Sequence, residues 1–334
     1  MMKHILFLAN LQYGEEPTGG GVQTRNQFML KWFEQHCDVK FYDTWKKPAI
    51  VSLLCSLYYA IFNGKRQIVI SYGSRGALLL MKVLYYLCCK RNIFFFVPGN
   101  DYKDLEEPKN KRYWRKINHI LIQSRSKALE LMQLGYSNVS YCPNFKLIDY
   151  RPKRMQEHKV PINFVYVGRL IEEKGIQVMI DACQKIEKNF ALTIYGKETD
   201  KYNRLFFEQL GDNRIEYKGY INLKSKKGLD ELAQYDVLLF PTFFEGEGFS
   251  GTLIDAFICG LPVIATDFNA NSEIVQDGEN GIIVPPKNSV ALSEAMKKMI
   301  DGRFDLKRMS KSSCDSADRY NINVVMGNIF NENL

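Results

Sequence analysis

The chain has 334 residues, of which 46% are hydrophobic and 25% are charged, and its net charge is +8 at pH 7. This composition is typical of a globular protein and excludes fibrous, collagen-like and disordered chains. At roughly 100–200 residues per domain, the length predicts two domains or one large one. The N-terminus lacks the small-residue cleavage site of a signal peptide, and the eight cysteines form no paired C-x-x-C pattern. These features predict a cytoplasmic protein.

The charge is distributed unevenly along the chain. Residues 1–150 carry 21 Lys and Arg against 11 Asp and Glu, whereas residues 151–334 carry 24 against 26. A basic first half indicates an anionic partner, and the alternatives are a membrane lipid, a phosphorylated acceptor or nucleic acid.

Short apolar runs alternate with helix-length stretches through residues 1–150. The predicted strands are His4–Ala9, Val39–Tyr42, Gln67–Ser71, Asn92–Val97, His119–Gln123 and Val139–Cys142. The predicted helices are Val22–Gln35, Ala49–Phe62, Arg75–Lys90 and Ser126–Leu134. Strands separated by helices indicate βαβ units and therefore a parallel sheet.

The polar stretch Cys142–Pro161 predicts a linker, and the alternation resumes after it. The predicted strands there are Asn163–Val167, Ala191–Tyr195, Ile215–Tyr217, Val237–Phe240, Val263–Thr266 and Ile282–Val284. The predicted helices are Gly175–Glu187, Tyr202–Gly211, Ser225–Ala233, Gly251–Cys259 and Ser289–Ile300. The sequence thus predicts an α/β protein of two Rossmann-like domains whose parallel sheets face each other across a cleft, where ligands of such sheets bind.

The loop that follows the first predicted strand is rich in glycine. Gly19, Gly20 and Gly21 precede the first predicted helix, so the backbone can approach a ligand closely and the helix start can offer N–H groups to an anion. The pattern is neither G-x-G-x-x-G nor a Walker loop, which weakens the nicotinamide and ATPase interpretations. The alternative is a flexible surface loop.

A second loop follows the strand that ends at Val167. It contains Arg169, which can form forked hydrogen bonds with a phosphate, and Lys174, which adds a point charge. The alternative is a solvated cluster in which Glu172 and Glu173 neutralise both cations.

A third loop runs from Phe240 into the helix predicted at Gly251. The helix start favours a diphosphate, and Glu247 just before it can accept hydrogen bonds from sugar hydroxyls. Asp255 lies inside the helix, on a face that can reach a ribose. A carboxylate suits the vicinal hydroxyls of a ribose, because it can accept two hydrogen bonds at once.

At these residues the sequence resembles the family 4, or group 1, retaining glycosyltransferases, which have the GT-B fold. Gly20-Gly21-Val22 resembles their N-terminal glycine loop, and Gly168-Arg169-Leu170 with Glu173-Lys174-Gly175 resembles their phosphate-binding turn. Glu247 through Asp255 resembles their E-x7-E motif. Gly260 to Ala265, Ser272 to Val275 and Asp277 to Gly281 resemble the tail of the same domain. The resemblance covers most of residues 160–290 and is weaker in the first half.

The resemblance implies a role for each matching residue. Arg169 and Lys174 would bind the donor diphosphate and stabilise the leaving nucleotide, and Glu247 would hold hydroxyls of the transferred sugar, which makes these three the catalytic residues. Asp255 would bind the nucleotide ribose. The further donor-binding residues would be Gly19, Gly20, Gly21, Tyr195, Gly196, Gly219, Tyr220, Gly248, Phe249, Ser250, Gly251 and Thr252.

The resemblance also implies the domain roles. Residues 1–150 would form the acceptor-side domain, residues 151–315 the nucleotide-sugar domain, and a C-terminal helix at about 316–334 would pack back on the first. The sequence departs from the family's pattern at two points. Asp255 replaces the second glutamate, which gives E-x7-D. Many members of the family carry a histidine in the first domain near the reacting sugar, but none of the four histidines here follows a strand in a glycine-rich loop. The nearest acceptor-side loop offers Asn100 and Asp101 instead.

The predicted function is transfer of a hexose from a nucleoside diphosphate sugar, UDP rather than GDP, to an acceptor hydroxyl with retention of configuration. No metal ion or other cofactor is expected, because Arg169, Lys174 and helix amides supply the positive charge. The resemblance implies that the acceptor is a glycan or a lipid-linked or protein-linked group in bacterial surface polysaccharide, capsule or glycoconjugate assembly.

Two hydrophobic helical stretches, Ala49–Phe62 and Ala77–Cys89, and the basic run 109–116 suggest docking on the inner face of an anionic membrane. The alternative is an ordinary core with solvated lysines. A non-catalytic GT-B partner subunit and a basic nucleic-acid-binding protein are the other functions considered. Nucleic acid is disfavoured, because the cations lie among hydrophobic residues and the second half is mildly acidic.

Overall fold

A computed structural model of the protein describes residues 3–14, 21–62, 67–87, 92–153 and 155–331. The chain divides into two compact units. Unit 1 comprises the chain up to Leu147 together with the residues from Ile322 onward, and unit 2 comprises Ile148–Asn321.

Strands and helices alternate along both units. In chain order the elements up to Leu147 are β1 (Lys3–Ala9), α1 (Gly21–His36), β2 (Cys37–Asp43), α2 (Ala49–Phe62), β3 (Gln67–Ser71), α3 (Ser74–Tyr86), β4 (Ile93–Phe96), α4 (Lys103–Glu106), α5 (Lys111–Trp114), β5 (His119–Ile122), α6 (Arg125–Gln133) and β6 (Val139–Tyr141). The later elements are β7 (Ile162–Val167), α7 (Ile176–Gln184), β8 (Phe190–Tyr195), α8 (Arg204–Gln209), β9 (Ile215–Gly219), α9 (Lys226–Leu232), β10 (Val237–Phe240), α10 (Gly251–Ile258), β11 (Val263–Thr266), α11 (Asn271–Ile274), β12 (Gly281–Val284), α12 (Ser289–Ile300), α13 (Leu306–Asp318) and α14 (Ile322–Asn331).

The described strands of unit 1 form one parallel sheet of six strands in the order β2-β1-β3-β4-β5-β6. Both faces of this sheet are covered, as β4 illustrates. Phe95 stacks on Trp114 on one face, whereas Phe94 packs on Phe330 of α14 on the other. Because successive side chains of a strand point to opposite faces, a run of consecutive phenylalanines fits only a strand that is buried on both sides.

The described strands of unit 2 form a second parallel sheet of six strands in the order β12-β11-β10-β7-β8-β9. From β7 the chain adds β8 and β9 on one side of the sheet. It then crosses to the other side of β7, where it forms β10 and adds β11 and β12 beyond it. The strand order therefore reverses between the neighbours β7 and β10. Ligands of open α/β sheets bind at the carboxyl ends of the strands at such a switch point. The loops after Val167 and after Phe240 therefore lie where the fold favours a ligand.

Four helices of unit 2, α8, α9, α12 and α13, begin where the sequence supplies a capping side chain. Asn203, Ser225, Asn288 and Asp305 each accept a hydrogen bond from a backbone N–H in the first turn of the following helix. Such a cap satisfies an N–H group that has no partner within its helix, and it typically stabilises the helix by about 1 kcal/mol.

The predicted α/β architecture with parallel sheets is confirmed, and two local bounds differ from those predicted. The stretch predicted as a linker is partly built into unit 2, where Tyr150 and Gln156 are buried and the Gln156 N–H donates to Ser310 Oγ at 2.9 Å. The C-terminal helix assigned to unit 1 begins at Ile322 rather than near residue 316, since Leu306–Asp318 is a separate helix of unit 2. Within the described ranges, no helix combines the length and the apolar character needed to cross a bilayer.

Candidate functional site

Two loops meet at the switch point of the unit 2 sheet, and backbone hydrogen bonds join them. The β7 loop runs from Gly168 to Gly175, and the β10 loop from Pro241 to Ser250. The Phe243 N–H donates to the Glu173 carbonyl at 2.7 Å. The loop that carries both predicted cations is thereby fixed against the loop that carries Glu247.

Two glycines permit the close approach of the backbone segments around this site. Gly175 has a φ of +78°, and a Cβ there would lie 2.2 Å from the Pro241 carbonyl oxygen. A Cβ at Gly196 would lie 2.3 Å from the carbonyl oxygen of Gly168. Real Cβ atoms do not approach a carbonyl oxygen this closely, so the backbone geometry requires glycine at both positions.

Arg169 and Lys174 lie on the same aromatic ring. The guanidinium carbon of Arg169 is 4.6 Å from the centroid of the Phe244 ring, and Lys174 Nζ is 5.4 Å from it. The electron-rich face of an aromatic ring attracts cations. Phe244 thus holds two like charges close together, which is the arrangement that a multiply charged anion requires.

The acidic partner of Lys174 is Glu247. Their side chains are in direct contact, with only 10% and 13% of the side-chain surfaces exposed. Two causes lower the pKa of Lys174: mainly its burial and, to a smaller extent, the nearby positive charge of Arg169. The Glu247 carboxylate opposes this effect, because an adjacent negative charge favours the protonated amine.

The alternative in which Glu172 and Glu173 neutralise the two cations is wrong for the residues described. Glu172 instead contacts Lys201 and accepts a hydrogen bond from the Tyr202 hydroxyl at 2.6 Å, and both interactions lower its pKa. Among the described residues, no carboxylate pairs with Arg169, which is exposed. The guanidinium therefore presents its charge to solvent at the edge of the site.

The turn that carries Glu247 is held by Asn269, a residue that the sequence analysis does not identify. Asn269 Nδ2 donates to the Glu247 carbonyl at 2.9 Å, with the Phe244 and Glu245 carbonyls at 3.4 and 3.5 Å. Its φ is +51°, a conformation that asparagine tolerates better than most residues. An isolated asparagine after a strand gives no sequence signal for such a contact.

Helix α10 starts at the end of the same loop. Its N-cap is Ser250, whose side chain makes no capping hydrogen bond, and Gly251 and Thr252 form the first turn. Asp255 is buried on this helix, and the Phe249 side chain packs in the core on Tyr320. Phe249 can therefore contribute to a ligand site through its backbone, as can Gly248 beside it.

The two predicted nucleobase positions differ in their surroundings. The Tyr195 side chain is buried, and its hydroxyl donates to Glu231 at 2.6 Å and lies 2.8 Å from the Tyr235 hydroxyl, so burial and these partners raise its pKa. Gly196 and Gly219 are joined by a 2.7 Å backbone hydrogen bond, and Tyr220 after them is exposed. Tyr220 is thus the only tyrosine of this predicted pair whose side chain is accessible.

The predicted acceptor-side residues lie in unit 1. Asp101 accepts hydrogen bonds from the Ser74 N–H at 2.6 Å and the Ser74 hydroxyl at 2.8 Å. Asp101 thus caps helix α3, and its negative charge favours the helix start. Asn100 lies in the same turn. Of the predicted glycine loop, Gly21 begins α1, whereas Gly19 and Gly20 lie outside the described residues.

Arg25, which the sequence analysis also missed, lies at the switch point of the unit 1 sheet. Its guanidinium is buried, donates to Ser71 Oγ at 2.9 Å and lies 3.4 Å from the Val97 carbonyl oxygen. Burial lowers its pKa to about 10. The next residue, Asn26, donates to the Asn10 and Ser71 carbonyls. Arg25 and Asn26 therefore hold the ends of β1, β3 and β4 together.

Comparison with known proteins adds independent information. Residues 161–302, which contain Arg169, Lys174 and Glu247, match the family model described as "Glycosyl transferases group 1". A phosphatidyl-myo-inositol mannosyltransferase of Mycobacterium leprae is 26% identical over 229 residues, which are 65% of this chain and 59% of the relative. A putative colanic acid biosynthesis glycosyltransferase, WcaL of Escherichia coli, is 23% identical over 86% of this chain and 73% of the relative. The chain spans less than two thirds of the length of the first curated relatives that it matches.

A solved structure shows the fold. The crystal structure of Anabaena HepE in complex with UDP superimposes with a TM-score of 0.72 at 16% identity, covering 99% of both chains. The fold class is that of the GT-B glycosyltransferases, which confirms the class predicted from the sequence.

Proposed function

We propose that the chain is a retaining glycosyltransferase that moves a hexosyl group from a nucleoside diphosphate sugar to an acceptor hydroxyl. One observation carries this proposal: Arg169 and Lys174 share one aromatic ring beside Glu247, at the switch point of the unit 2 sheet. The match of this segment to group 1 glycosyl transferases supports it.

The two cations suit the leaving group of such a reaction. When the bond between the sugar and the phosphate breaks, negative charge develops on the diphosphate. Arg169 can bind phosphate oxygens in a forked geometry, and Lys174 adds a point charge in a largely buried position. Fixed donors aimed at developing charge are usually the largest catalytic contribution. The proposal includes no metal ion, because these side chains supply the positive charge.

The contact between Lys174 and Glu247 also suits the substrate. In a nucleoside diphosphate sugar, the sugar ring is attached directly to the second phosphate. A carboxylate that accepts hydrogen bonds from sugar hydroxyls must therefore lie next to the cation that binds this phosphate, as Glu247 does next to Lys174.

Retention of configuration follows if the acceptor attacks from the face that the leaving group departs from. The bond between the anomeric carbon and the phosphate oxygen breaks, and its electron pair stays on the phosphate. The acceptor oxygen then bonds to the anomeric carbon, and its proton passes to the departing phosphate oxygen. This course needs no separate base from the protein. A double displacement through paired carboxylates is less compatible with the chain, since Glu245 and Glu247 share one turn.

Asn269 is expected to support this reaction by holding the Glu247 turn. Asn269→Gly removes the amide while it tolerates the positive φ, so the turn loses its clamp without new backbone strain. The loss of one such hydrogen bond predicts a roughly three- to tenfold decrease in kcat/KM for the sugar donor. Steady-state kinetics measure the effect, and Asn269→Asp, which lacks the donor but keeps the shape, should behave similarly. Wild-type kinetics in both variants would contradict the role.

UDP is the nucleotide that we propose, and HepE, which shares the fold, was crystallised with UDP. A ligand present at about 100 times its Kd stabilises a protein by about 2.7 kcal/mol. We therefore expect saturating UDP to raise the Tm by about 5 °C, and to do so more than GDP or ADP. Thermal unfolding with each nucleotide measures this difference. The absence of a shift with all three would contradict a nucleoside diphosphate site.

Transfer assays with a panel of nucleotide sugars separate the proposal from its alternatives. A non-catalytic partner subunit would bind UDP without producing a glycoside in the presence of any acceptor. A nucleic-acid-binding protein would bind oligonucleotides and show no nucleotide-sugar turnover. The anomeric configuration of the product, determined by NMR, tests retention directly.

The proposed acceptor is a glycan or a lipid-linked or protein-linked hydroxyl in bacterial surface polysaccharide, capsule or glycoconjugate assembly. Two relatives support this class, since one is a phosphatidyl-myo-inositol mannosyltransferase and the other a putative colanic acid biosynthesis glycosyltransferase. The proposal includes a cytoplasmic location, peripheral on the inner face of the cell membrane, where such acceptors are assembled.

A further inference from the structure

Helix α2 exposes four large apolar side chains. Ile50, Leu54, Tyr58 and Phe62 follow one another at intervals of four residues, and their exposed fractions are 63%, 58%, 60% and 72%. Residues at this spacing lie along one face of a helix. We call these four residues the α2 stripe.

The inward face of α2 is made mostly of other residues. Its two fully buried residues are the small Ser56 and Ala60. Five further residues of the helix pack partly against the unit 1 core: Leu53, Cys55, Leu57, Tyr59 and Ile61. A surface helix of a globular protein normally turns its large apolar residues inward and its polar residues outward. Helix α2 departs from this pattern, because it carries large apolar residues on its outward face as well as on its inward face. A contiguous exposed apolar surface of this kind marks an interaction site.

The charge around the stripe indicates the kind of partner. Residues 44–100 of the sequence contain eight Lys and Arg and no Asp or Glu, and the structure describes four of these cations, Lys46, Lys47, Arg75 and Lys82. Lys46 and Lys47, just before α2, are exposed, and so is Arg75 on the neighbouring helix α3. The surface thus combines an apolar stripe with positive charge, which complements an anionic surface with an apolar interior.

The other basic run, at residues 109–116, is largely committed to contacts within unit 1. Lys111 contacts the Leu134 carbonyl, and Arg115 donates to the Gly135 carbonyl at 2.9 Å, so both bind the carboxyl end of α6. Lys109 pairs with Glu107 at 2.7 Å, and Arg112 donates to the Tyr113 hydroxyl at 2.6 Å. Lys46 and Lys47 lie over the Trp45 and Tyr42 rings, but both are exposed and neighbour the apolar stripe, so the segment around α2 is the stronger candidate for an anionic partner.

We propose that the α2 stripe docks into the interface of an anionic lipid bilayer, with α2 parallel to the membrane plane. A helix with a long apolar face inserts that face among the acyl chains, and tyrosine is favoured at the interface because its ring is apolar and its hydroxyl is polar. Lys46 and Lys47 add attraction to acidic headgroups. The inference does not depend on catalysis, because it rests only on the surface of unit 1.

Flotation of the whole protein with vesicles tests the proposal. We expect the protein to float with vesicles of phosphatidylcholine containing about one third phosphatidylglycerol, and to float much less with phosphatidylcholine alone. The variant Leu54→Gln/Tyr58→Gln/Phe62→Gln should lose at least about tenfold in partitioning, because its apolar contacts are removed. The variant Lys46→Gln/Lys47→Gln should lose mainly the part of the binding that high salt screens.

A matched control separates this surface from general hydrophobicity. Leu129→Gln/Leu205→Gln/Val290→Gln changes three side chains that are 59%, 60% and 53% exposed elsewhere, and it should float like the wild type. All variants should keep the wild-type Tm and the wild-type shift of the Tm with UDP. The Tm shift reports on the proposed nucleotide site and flotation reports on the α2 stripe, so a failure of one proposal is distinguishable from a failure of the other. Wild-type protein that does not float, or a stripe variant that floats normally, would overturn the proposal. Light scattering that shows a wild-type dimer and a monomeric stripe variant would overturn it in favour of a second copy of the chain.

Discussion

Lys174→Ala is expected to lower kcat by roughly 10²–10³, the usual cost of removing one donor that stabilises charge in a transition state. The ammonium is largely buried beside Glu247 and shares the Phe244 ring with Arg169. Steady-state turnover with the preferred sugar donor measures the loss.

Lys174→Ala also carries a cost in stability, because the substitution leaves the Glu247 carboxylate without its cation in a mostly buried position. Two further variants keep the prediction testable if this variant is too unstable to assay. Arg169→Ala alters an exposed side chain and should lower kcat comparably while the Tm stays close to that of the wild type. Lys188→Ala, which removes an exposed pair with Asp301 in the same unit, should leave kcat unchanged. Full turnover in both Lys174→Ala and Arg169→Ala would remove these residues from the catalytic role.

Gly175→Ala is expected to destabilise unit 2 by about 2–5 kcal/mol. A left-handed conformation costs a residue with a Cβ roughly 1–2 kcal/mol, and forcing an atom into a filled space costs about 1–3 kcal/mol more. Both costs apply at Gly175, where φ is +78° and the added Cβ would lie 2.2 Å from the Pro241 carbonyl oxygen. Urea unfolding followed by far-UV circular dichroism measures the shift.

Two other glycines of unit 2 divide this cost into its parts. Gly278 has a φ of +75° with nothing within 4 Å of an added Cβ, so Gly278→Ala carries the conformational cost alone. Gly196→Ala carries the steric cost alone, because the φ of Gly196 is not positive whereas an added Cβ would lie 2.3 Å from the Gly168 carbonyl oxygen. The three tryptophans are residues 32, 45 and 114, so tryptophan fluorescence follows unit 1 and serves as an internal reference. If Gly175→Ala were no less stable than Gly278→Ala, the close contact with Pro241 would be refuted.

Several features of the fold could be predicted from local sequence. The helix Ala49–Phe62 and the strands Gln67–Ser71, Val237–Phe240 and Val263–Thr266 have the predicted bounds. Their hydrophobic patterns and flanking turn residues act within a few residues, so one segment read alone carries the information. The same holds for the loops after Val167 and Phe240, because glycines and charged residues that interrupt an apolar pattern are visible without any knowledge of the partners.

Other features depend on contacts between distant parts of the chain. The sequence singles out Lys174 and Glu247, yet the contact between them, rather than between Lys174 and Glu173, arises because β7 and β10 are neighbours in the sheet. Tyr195 and Asp101 illustrate the same limit. Their side chains bind Glu231 and Ser74, partners that only the packing of other helices supplies.

The sequence by itself determined the alternation of strands and helices, the two α/β units and the residue types of the candidate site, because these follow from backbone preferences and hydrophobic periodicity. The tertiary structure alone decided the strand order, the partner of Lys174, the clamp formed by Asn269 and the outward direction of the α2 stripe. The physical reason is that a pattern fixes which residues tend to be buried, whereas the choice of partner depends on how distant elements compete for the same space.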